Sequence, residues 1–301
     1  MKAAGPILSS ARSTVPSPTS VPCTGPATTR FRPWLSDQSD MGAVTDLLEE
    51  MAASADVAYR LAMRTLSRSE RSMDIGLGGD GTPTMHLDRI IEAPVLEVLE
   101  RAGVNVLSEE VGWVDRGSAV TAVIDPVDGT ANSAAGVPIS AFAAAIAVDG
   151  RIVECLSLWL GTTKRWHSRH DDPVRRTVTD RTSLEGAEMC MLRPRPETWA
   201  SWSAVASSVA RVRVLGSSVI EAGLVADGAV DAFCDPGGDV HRIVDLAPMS
   251  LVIEKAGGVM RDLHGRPFTL EPDLTLRWSG VVAASQALAD GIIETVLGGT
   301  K

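Results

Sequence analysis

The chain has 301 residues, which is long for a single domain and sufficient for two domains that share an interface. Hydrophobic residues make up 45% of the sequence but aromatic residues only 4%, so aliphatic side chains and alanine must fill the core. The formal net charge of -10 disfavours nucleic acid as a partner, because an acidic surface repels a polyphosphate backbone. The longest apolar run, residues 141–148, is too short to cross a bilayer.

Residues 1–40 differ in composition from the rest of the chain. They hold six of the seventeen prolines and no acidic residue before Asp37, a composition that predicts a disordered N-terminal extension. The segment lacks the apolar core of a signal peptide, so a transit peptide is the alternative interpretation, and Met41 is an alternative start. Because the four cysteines form no C-x-x-C pair, we expect reduced thiols and a cytoplasmic protein.

The first half of the chain begins with helical patterns. Apolar residues on one face predict a helix over residues 41–67, a glycine-rich loop follows at 75–81, and a second helix is predicted over 84–102. Pro94 should kink or split this second helix. Strands are expected at 104–107 and 120–124, and a hairpin with a tight Asp-Gly turn at 141–160.

The second half alternates strands and helices after residues 161–184, which carry no clear pattern. Ser218 and Glu221 form the pattern of a capping box and predict a helix that ends near Asp227. A further helix is expected directly after Asp245, with Pro248 in its first turn. Strands at 230–234 and 281–284 and a last helix capped by Ser285 complete a mixed αβ order.

The clearest chemical signal is the segment Asp-Pro-Val-Asp-Gly-Thr at residues 125–130. Pro126 prevents a simple continuation of the strand, and Gly129 allows a tight turn, so Asp125 and Asp128 should converge. Two close carboxylates repel each other unless a proton or cation lies between them, and carboxylate oxygens suit Mg²⁺. Free N–H groups after Gly129 would hold a phosphate beside the metal.

Further acidic residues extend this signal. Glu109 and Glu110 end another apolar strand, Asp245 lies at a predicted helix start, and Asp88 follows the glycine-rich loop. Taken together, the segments resemble the inositol monophosphatase family of lithium-sensitive phosphatases over residues 41–297. The matching segments are 79–84, 108–110, 125–130, 213–218, 244–247 and 254–258.

Residues 79–84 are most similar to the archaeal-type branch of that family, whose members often act on both inositol phosphates and fructose 1,6-bisphosphate. The resemblance implies a layered αβαβα sandwich and a homodimer. We expect an N-terminal α+β domain at residues 41–185 with the metal and phosphate loop, and a C-terminal α/β domain at 186–301 that completes the site.

The resemblance also implies the role of each site residue. Two or three Mg²⁺ ions would be bound by the side chains of Glu109, Asp125, Asp128 and Asp245 and by the carbonyl of Val127. Thr130 would help to orient the attacking water, with Glu109 assisting, and Asp88 would support that water or the hydration shell of a third metal ion. The substrate, a small phosphorylated polyol or sugar, would contact Asp128, Gly129, Thr130, Ser217 and Asp235.

Such a site favours hydrolysis by metal-activated water without a phosphoenzyme. Asp125 is an imaginable nucleophile, but a metal would occupy it. The alternatives are a fructose-1,6-bisphosphatase, a phosphatase of 3′-phosphoadenosine 5′-phosphate, and a protein that binds phosphate esters without turnover. Arg242 could contact a second substrate phosphate, although we expect it to be a surface residue.

Overall fold

The computed structural model describes residues 38–298 of the chain. The predicted disordered extension at residues 1–40 lies outside the described residues, except for the three that begin the first helix. The α-helices are α1 Gln38–Thr65, α2 Arg68–Arg71, α3 His86–Ala102, α4 Thr130–Ala135, α5 Trp199–Ser208, α6 Ser218–Ala226, α7 Ile243–Lys255 and α8 Gln286–Gly298. A short 3₁₀ helix covers Pro196–Thr198.

The strands form two larger sheets and one small hairpin. The hairpin pairs β1 Asp74–Leu77 with β2 Pro83–Met85. The six-stranded sheet has the order β4-β3-β5-β6-β7-β8 and the five-stranded sheet the order β10-β9-β11-β13-β12. Their strands are β3 Asn105–Ser108, β4 Gly112–Val114, β5 Val120–Asp128, β6 Ala141–Val148, β7 Arg151–Trp159, β8 Arg165–Arg169, β9 Glu188–Met191, β10 Arg211–Arg213, β11 Ala232–Cys234, β12 Val259–Asp262 and β13 Gly280–Ala283.

Strand β6 separates two hydrophobic cores because successive side chains of a strand point to opposite faces. Every residue of β6 is buried. The even-numbered side chains of Phe142, Ala144 and Ile146 join the core under α1 and α3. The odd-numbered alanines join the core that also contains α6 and α7, namely Ala141, Ala143 and Ala145.

The layers follow from these cores. Helices α1 and α3 cover one face of the six-stranded sheet, while α6 and α7 lie between the two sheets. Helices α5 and α8 pack on the outer face of the five-stranded sheet. The expected αβαβα sandwich is therefore confirmed. The two sheets lie on either side of residue 185, but the division into two domains stays a prediction.

The 141–160 hairpin is confirmed. Its turn residues Asp149 and Gly150 have φ angles of 48° and 76°, the left-handed pair that a type I′ turn requires. The final helix also begins as predicted, because the Leu288 N–H donates to the Ser285 hydroxyl at 3.2 Å. In the segment without a clear pattern, β8 pairs with β7 as an edge strand.

Two predictions between residues 75 and 102 need correction. Pro94 does not split helix α3, because only one N–H is lost and the buried neighbours Ile91 and Val95 hold the helix against α1. The segment 75–81 is not simply a loop, because its first residues belong to β1.

None of the described helices is long and apolar enough to span a membrane. The three cysteines that the structure describes, Cys155, Cys190 and Cys234, are buried and free of disulfide bonds. This agrees with the expectation of reduced thiols for that part of the chain.

A pair of glycine-to-alanine variants tests the packing between the sheets. A Cβ on Gly223 in α6 would lie 2.4 Å from the ring of Trp166, so Gly223→Ala should lower the free energy of unfolding by about 1–3 kcal/mol. A Cβ on Gly42 in α1 would meet no atom within 4 Å, so Gly42→Ala should raise it by about 0.5–1 kcal/mol. Urea unfolding measures the free energy of unfolding of both variants. Equal changes would contradict the close packing of Gly223 against Trp166.

Candidate metal and phosphate site

The first two carboxylates of the site are brought together by the pairing of two parallel strands. β3 and β5 run parallel, and Ser108 pairs with Ile124 at the end of the ladder. The next residue of each strand is acidic, Glu109 after β3 and Asp125 within β5. Because parallel strands carry their carboxyl ends to the same edge of a sheet, these side chains lie next to each other.

The chain turns sharply after Asp125. The Val127 N–H donates to Asp125 Oδ1 at 3.0 Å, and the register of β5 against β6 shifts between Asp125 and Asp128. The prediction that the strand ends at Asp125 was wrong, because this irregularity absorbs Pro126 and pairing resumes at Asp128. Gly129 follows with a φ of 91°, and a Cβ there would lie 2.9 Å from the Ile139 carbonyl oxygen.

Helix α7 supplies the third carboxylate. The helix begins at Ile243, three residues earlier than predicted, so Asp245 is its third residue and Pro248 lies inside it. Asp245 Oδ2 accepts a bond from the Arg242 N–H at 2.7 Å and so caps the helix. Ligand oxygens of Glu109, Asp125 and Asp245 all lie within 4.8 Å of one another.

These carboxylates repel each other in a buried environment. Burial raises the pKa of Asp125 well above its usual range, and the charges of Glu109, Asp128 and Asp245 raise it further. Burial likewise raises the pKa of Glu109 to about 8 and that of Asp128 to about 6. The group offers only carboxylate oxygens, and its negative charge is not fully balanced by the surrounding residues. It therefore fits a hard divalent cation.

Arg242 lies against this group, and the expectation of a surface residue was wrong. Its guanidinium forms ion pairs with Glu109 and, at 2.7 Å, with Asp80. Its Nε lies 3.4 Å from Asp245 Oδ2. The side chain is only 17% exposed. Burial opposes the charge of the guanidinium, but the surrounding carboxylates still raise its pKa.

Glu92 on α3 positions the turn that carries Glu109, a role that was not predicted from the sequence. Glu92 Oε1 accepts bonds from the Ser108 hydroxyl at 2.5 Å and from the Val111 N–H at 3.0 Å. The neighbouring Glu110 accepts a bond from the Thr84 hydroxyl. No local pattern predicts this role, because Glu92 lies 16 residues from Ser108 and 19 residues from Val111 in the sequence.

Asp88 and Thr130 approach the carboxylate group from α3 and α4. The pKa of Asp88 rises to about 7 because the side chain is buried and faces the charge of Glu110, while the Thr130 hydroxyl opposes the rise. Asp88 Oδ1 is buried without a hydrogen-bond partner in the described residues. Thr130 Oγ1 donates to the Val127 carbonyl at 3.0 Å.

Asp128 connects the site to the second sheet. Its Oδ2 accepts bonds from the Ser217 hydroxyl at 2.5 Å and from the Val219 N–H at 2.8 Å. Ser217 rather than Ser218 caps α6, and Glu221 bonds instead to the Leu215 N–H at 2.8 Å, so the predicted capping box was wrong. The cap shifts by one residue because Ser217 also reaches Asp128.

A cavity of about 410 Å³ adjoins Asp128. It is formed by loops that follow β9, β10 and β11, three parallel neighbours whose carboxyl ends share one edge. Loops at this edge are the usual ligand site of open α/β sheets. Asp235 lines the cavity, and its two carboxylate oxygens accept bonds from the Gly238 N–H at 2.8 Å and the Val240 N–H at 3.0 Å.

The fold and site define an α/β protein with a buried carboxylate group for a divalent cation, next to a glycine turn and a substrate-sized cavity. Residues 44–156 and 165–299 match the inositol monophosphatase family, and the chain belongs to this family. The family is metal-dependent, and the carboxylates of Glu109, Asp125 and Asp245 form a group that could hold the metal.

The relatives include proteins with different phosphatase names. The fructose-1,6-bisphosphatase/inositol-1-monophosphatase of Thermococcus kodakarensis is 33% identical over 74% of this chain and 86% of its own. The histidinol-phosphatase of Mycobacterium tuberculosis is 31% identical over 62% of this chain and 76% of its own.

Solved structures show the same fold. A structure titled inositol monophosphatase-fructose 1,6 bisphosphatase is 25% identical, covers 83% of this chain and 98% of its own, and has a TM-score of 0.74. The extragenic suppressor protein suhB of Bartonella henselae has a TM-score of 0.71 over 84% of this chain and 98% of its own at 20% identity, which shows the fold alone.

The stability of the metal-free protein should fall as the pH rises from about 5 to 8.5. Glu109 and Asp128 have raised pKa values in the folded state, about 8 and about 6, so the folded protein binds protons more tightly than the unfolded chain. The stabilisation present below pH 4 is thus lost as the pH rises through 6 and 8. Saturating Mg²⁺ should remove most of this fall.

Thermal unfolding in EDTA and in Mg²⁺ across this pH range measures the effect. Glu109→Gln should flatten the profile in EDTA. A melting temperature that rises with pH in EDTA would contradict the raised pKa values.

Proposed function

We propose that this protein is a magnesium-dependent phosphatase that hydrolyses the phosphate monoester of a small polyol or sugar. The observation that supports it most directly is the group of Glu109, Asp125 and Asp245 carboxylates within 4.8 Å of one another, beside the glycine turn at the start of α4. Carboxylates alone would repel a phosphate ester, so a cation is needed before the substrate can bind.

The metal ligands of the proposal are the side chains of Glu109, Asp125, Asp128 and Asp245 with the carbonyl of Val127, for two or three Mg²⁺ ions. Bound metal would supply Lewis acidity, both for activating water and for stabilising the leaving oxygen. Val127 fits this set because its carbonyl already faces the turn, where it accepts the Thr130 hydroxyl at 3.0 Å.

The start of α4 would seat the phosphate. The first N–H groups of a helix have no acceptor within the helix, so the N–H groups of Thr130 and Ala131 are available to an anion together with that of Gly129. The missing Cβ of Gly129 lets this turn approach the Ile139 and Gly216 carbonyls. Ser217 holds Asp128 at the same place, and Asp235 lines the cavity for the alcohol part of the substrate.

Thr130 and Asp88 would handle the proton of the attacking water. A pKa of about 7 lets Asp88 exchange a proton near neutrality, and its unpartnered Oδ1 can accept one. The Thr130 hydroxyl, beside Asp88, would orient the water, and Glu109 would assist. A homodimer and a cytoplasmic location stay predictions.

Phosphate release tests the proposal. Wild type should release phosphate in a Mg²⁺-dependent manner from at least one of inositol 1-phosphate, fructose 1,6-bisphosphate and 3′-phosphoadenosine 5′-phosphate. Asp125→Asn should lower kcat/KM by at least about 100-fold, because it removes a central ligand. Asp46→Asn, on the exposed face of α1, is the matched control.

Folding of each variant is checked by circular dichroism. A folded wild type that binds Mg²⁺ and inositol 1-phosphate but releases no phosphate from any ester would instead support a binding protein without turnover.

A bisphosphate is the second candidate substrate, and two arginines favour it. Arg193 and Arg195 line the cavity in the loop after β9, and neither is paired with a carboxylate among residues 38–298. In a chain of net charge -10, an unpaired pair of guanidinium groups at the cavity is suited to a second anionic group. Arg242, considered for this role from the sequence, is held by the carboxylate group instead.

Fructose 1,6-bisphosphate and fructose 1-phosphate form a matched pair for this candidate. The double variant Arg193→Gln/Arg195→Gln should lower kcat/KM by about 10- to 100-fold for the bisphosphate only, because charge-assisted hydrogen bonds are lost. Arg151→Gln, at the exposed first residue of β7, is the control. Equal losses for both esters would exclude a subsite for the second phosphate.

A further inference from the structure

Arg242 is the cation that lies closest to the proposed metal ligands in the described structure. Its guanidinium pairs with Glu109, and its Nε faces Asp245 at 3.4 Å. Three ligand carboxylates, Glu109, Asp125 and Asp245, thus share one positive charge. A single guanidinium cannot balance them, which agrees with the raised pKa of Asp125 and Glu109.

The same guanidinium has a second partner outside the ligand group. Asp80, whose side chain is 1% exposed, pairs with Arg242 Nη1 at 2.7 Å. Asp80 is itself held by the Thr82 N–H at 2.8 Å and the Thr82 hydroxyl at 2.7 Å. Arg242 can therefore lose its contact with Glu109 and still keep a charged partner.

Arg277 provides a natural comparison. Its Nη2 pairs with the same oxygen of Asp80 at 3.2 Å, but its Nη1 donates to the carbonyls of Leu274 and Leu276. No contact joins Arg277 to Glu109 or Asp245 in the described residues. Two arginines therefore share Asp80, and only one of them reaches the ligand group.

We propose that Arg242 acts as a built-in cation that balances the ligand carboxylates in the metal-free protein and competes with the first metal ion for Glu109. Metal binding displaces the guanidinium from Glu109, while its ion pair with Asp80 remains. Arg242 thereby stabilises the metal-free fold and weakens the affinity for divalent cations. The inference rests on the metal site of the proposed function, but not on turnover.

Calorimetric titration with MgCl₂ alone tests this at pH 7.5. Arg242→Gln should bind Mg²⁺ about 10-fold or more tightly than wild type, because a competing positive charge is gone. The metal-free variant should melt about 3 °C or more below wild type, and Mg²⁺ should raise its melting temperature by more than it raises that of wild type. Arg277→Gln should bind Mg²⁺ with the affinity of wild type.

Arg242→Lys separates charge from geometry. A lysine keeps the positive charge but not the planar fork, so it should restore most of the weak binding of wild type if charge is the cause. The lysine variant also keeps the test valid if Arg242→Gln does not fold.

Unchanged or weaker Mg²⁺ binding by Arg242→Gln, with a wild type that binds Mg²⁺, would overturn the inference and leave the proposed function standing. Equal tightening in Arg277→Gln would also overturn it, because the effect would then come from Asp80. A wild type that binds no Mg²⁺ at all would overturn both this inference and the metal site of the proposed function.

Discussion

The structure depends on like charges that the parallel pairing of β3 and β5 places side by side. Glu109 and Asp125 follow paired residues of these strands, and α7 adds Asp245. Burial makes this repulsion costly, since the ionised forms lose hydration without a full counter-charge. Glu92 holds the turn that carries Glu109 in place, and Arg242 balances part of the negative charge of the carboxylates.

The site exists only where the two sheets meet across α6 and α7. Asn132 in α4 donates from its side-chain amide to the Ile139 and Leu215 carbonyls, both at 2.8 Å, and so ties the glycine turn to the loop after β10. Asp128 makes the second connection through Ser217. The carboxylate group and the cavity are therefore positioned relative to each other by bonds between the two halves of the chain.

The relatives carry different phosphatase names, and the carboxylate group and the cavity differ in how they are built. The carboxylate group is built from strand and helix ends, which tolerate little change. The cavity is built from loops that follow β9, β10 and β11, where an exposed side chain such as that of Arg193 can vary without disturbing the sheets. We therefore expect substrate choice to reside in these loops, and the metal chemistry to be shared across the family.

The sequence by itself determined the features that rest on short-range patterns. The hairpin at residues 141–160, its Asp-Gly turn and the family were all predicted correctly, because short apolar runs, turn residues and motif order are local properties. The same motif order named Glu109, Asp125 and Asp245, which the structure brings together.

Only the tertiary structure decided the partner of Arg242, the Ser217 cap of α6 and the bond between Glu92 and the Glu109 turn. Arg242 and Asp80 are 162 residues apart, and Ser217 and Asp128 are 89 apart. No local pattern encodes contacts at these separations. A split of α3 at Pro94 and an end of β5 before Pro126 were predicted wrongly for a related reason. Each proline removes one N–H donor, but packing compensates for this loss in α3 and a shifted register compensates for it in β5.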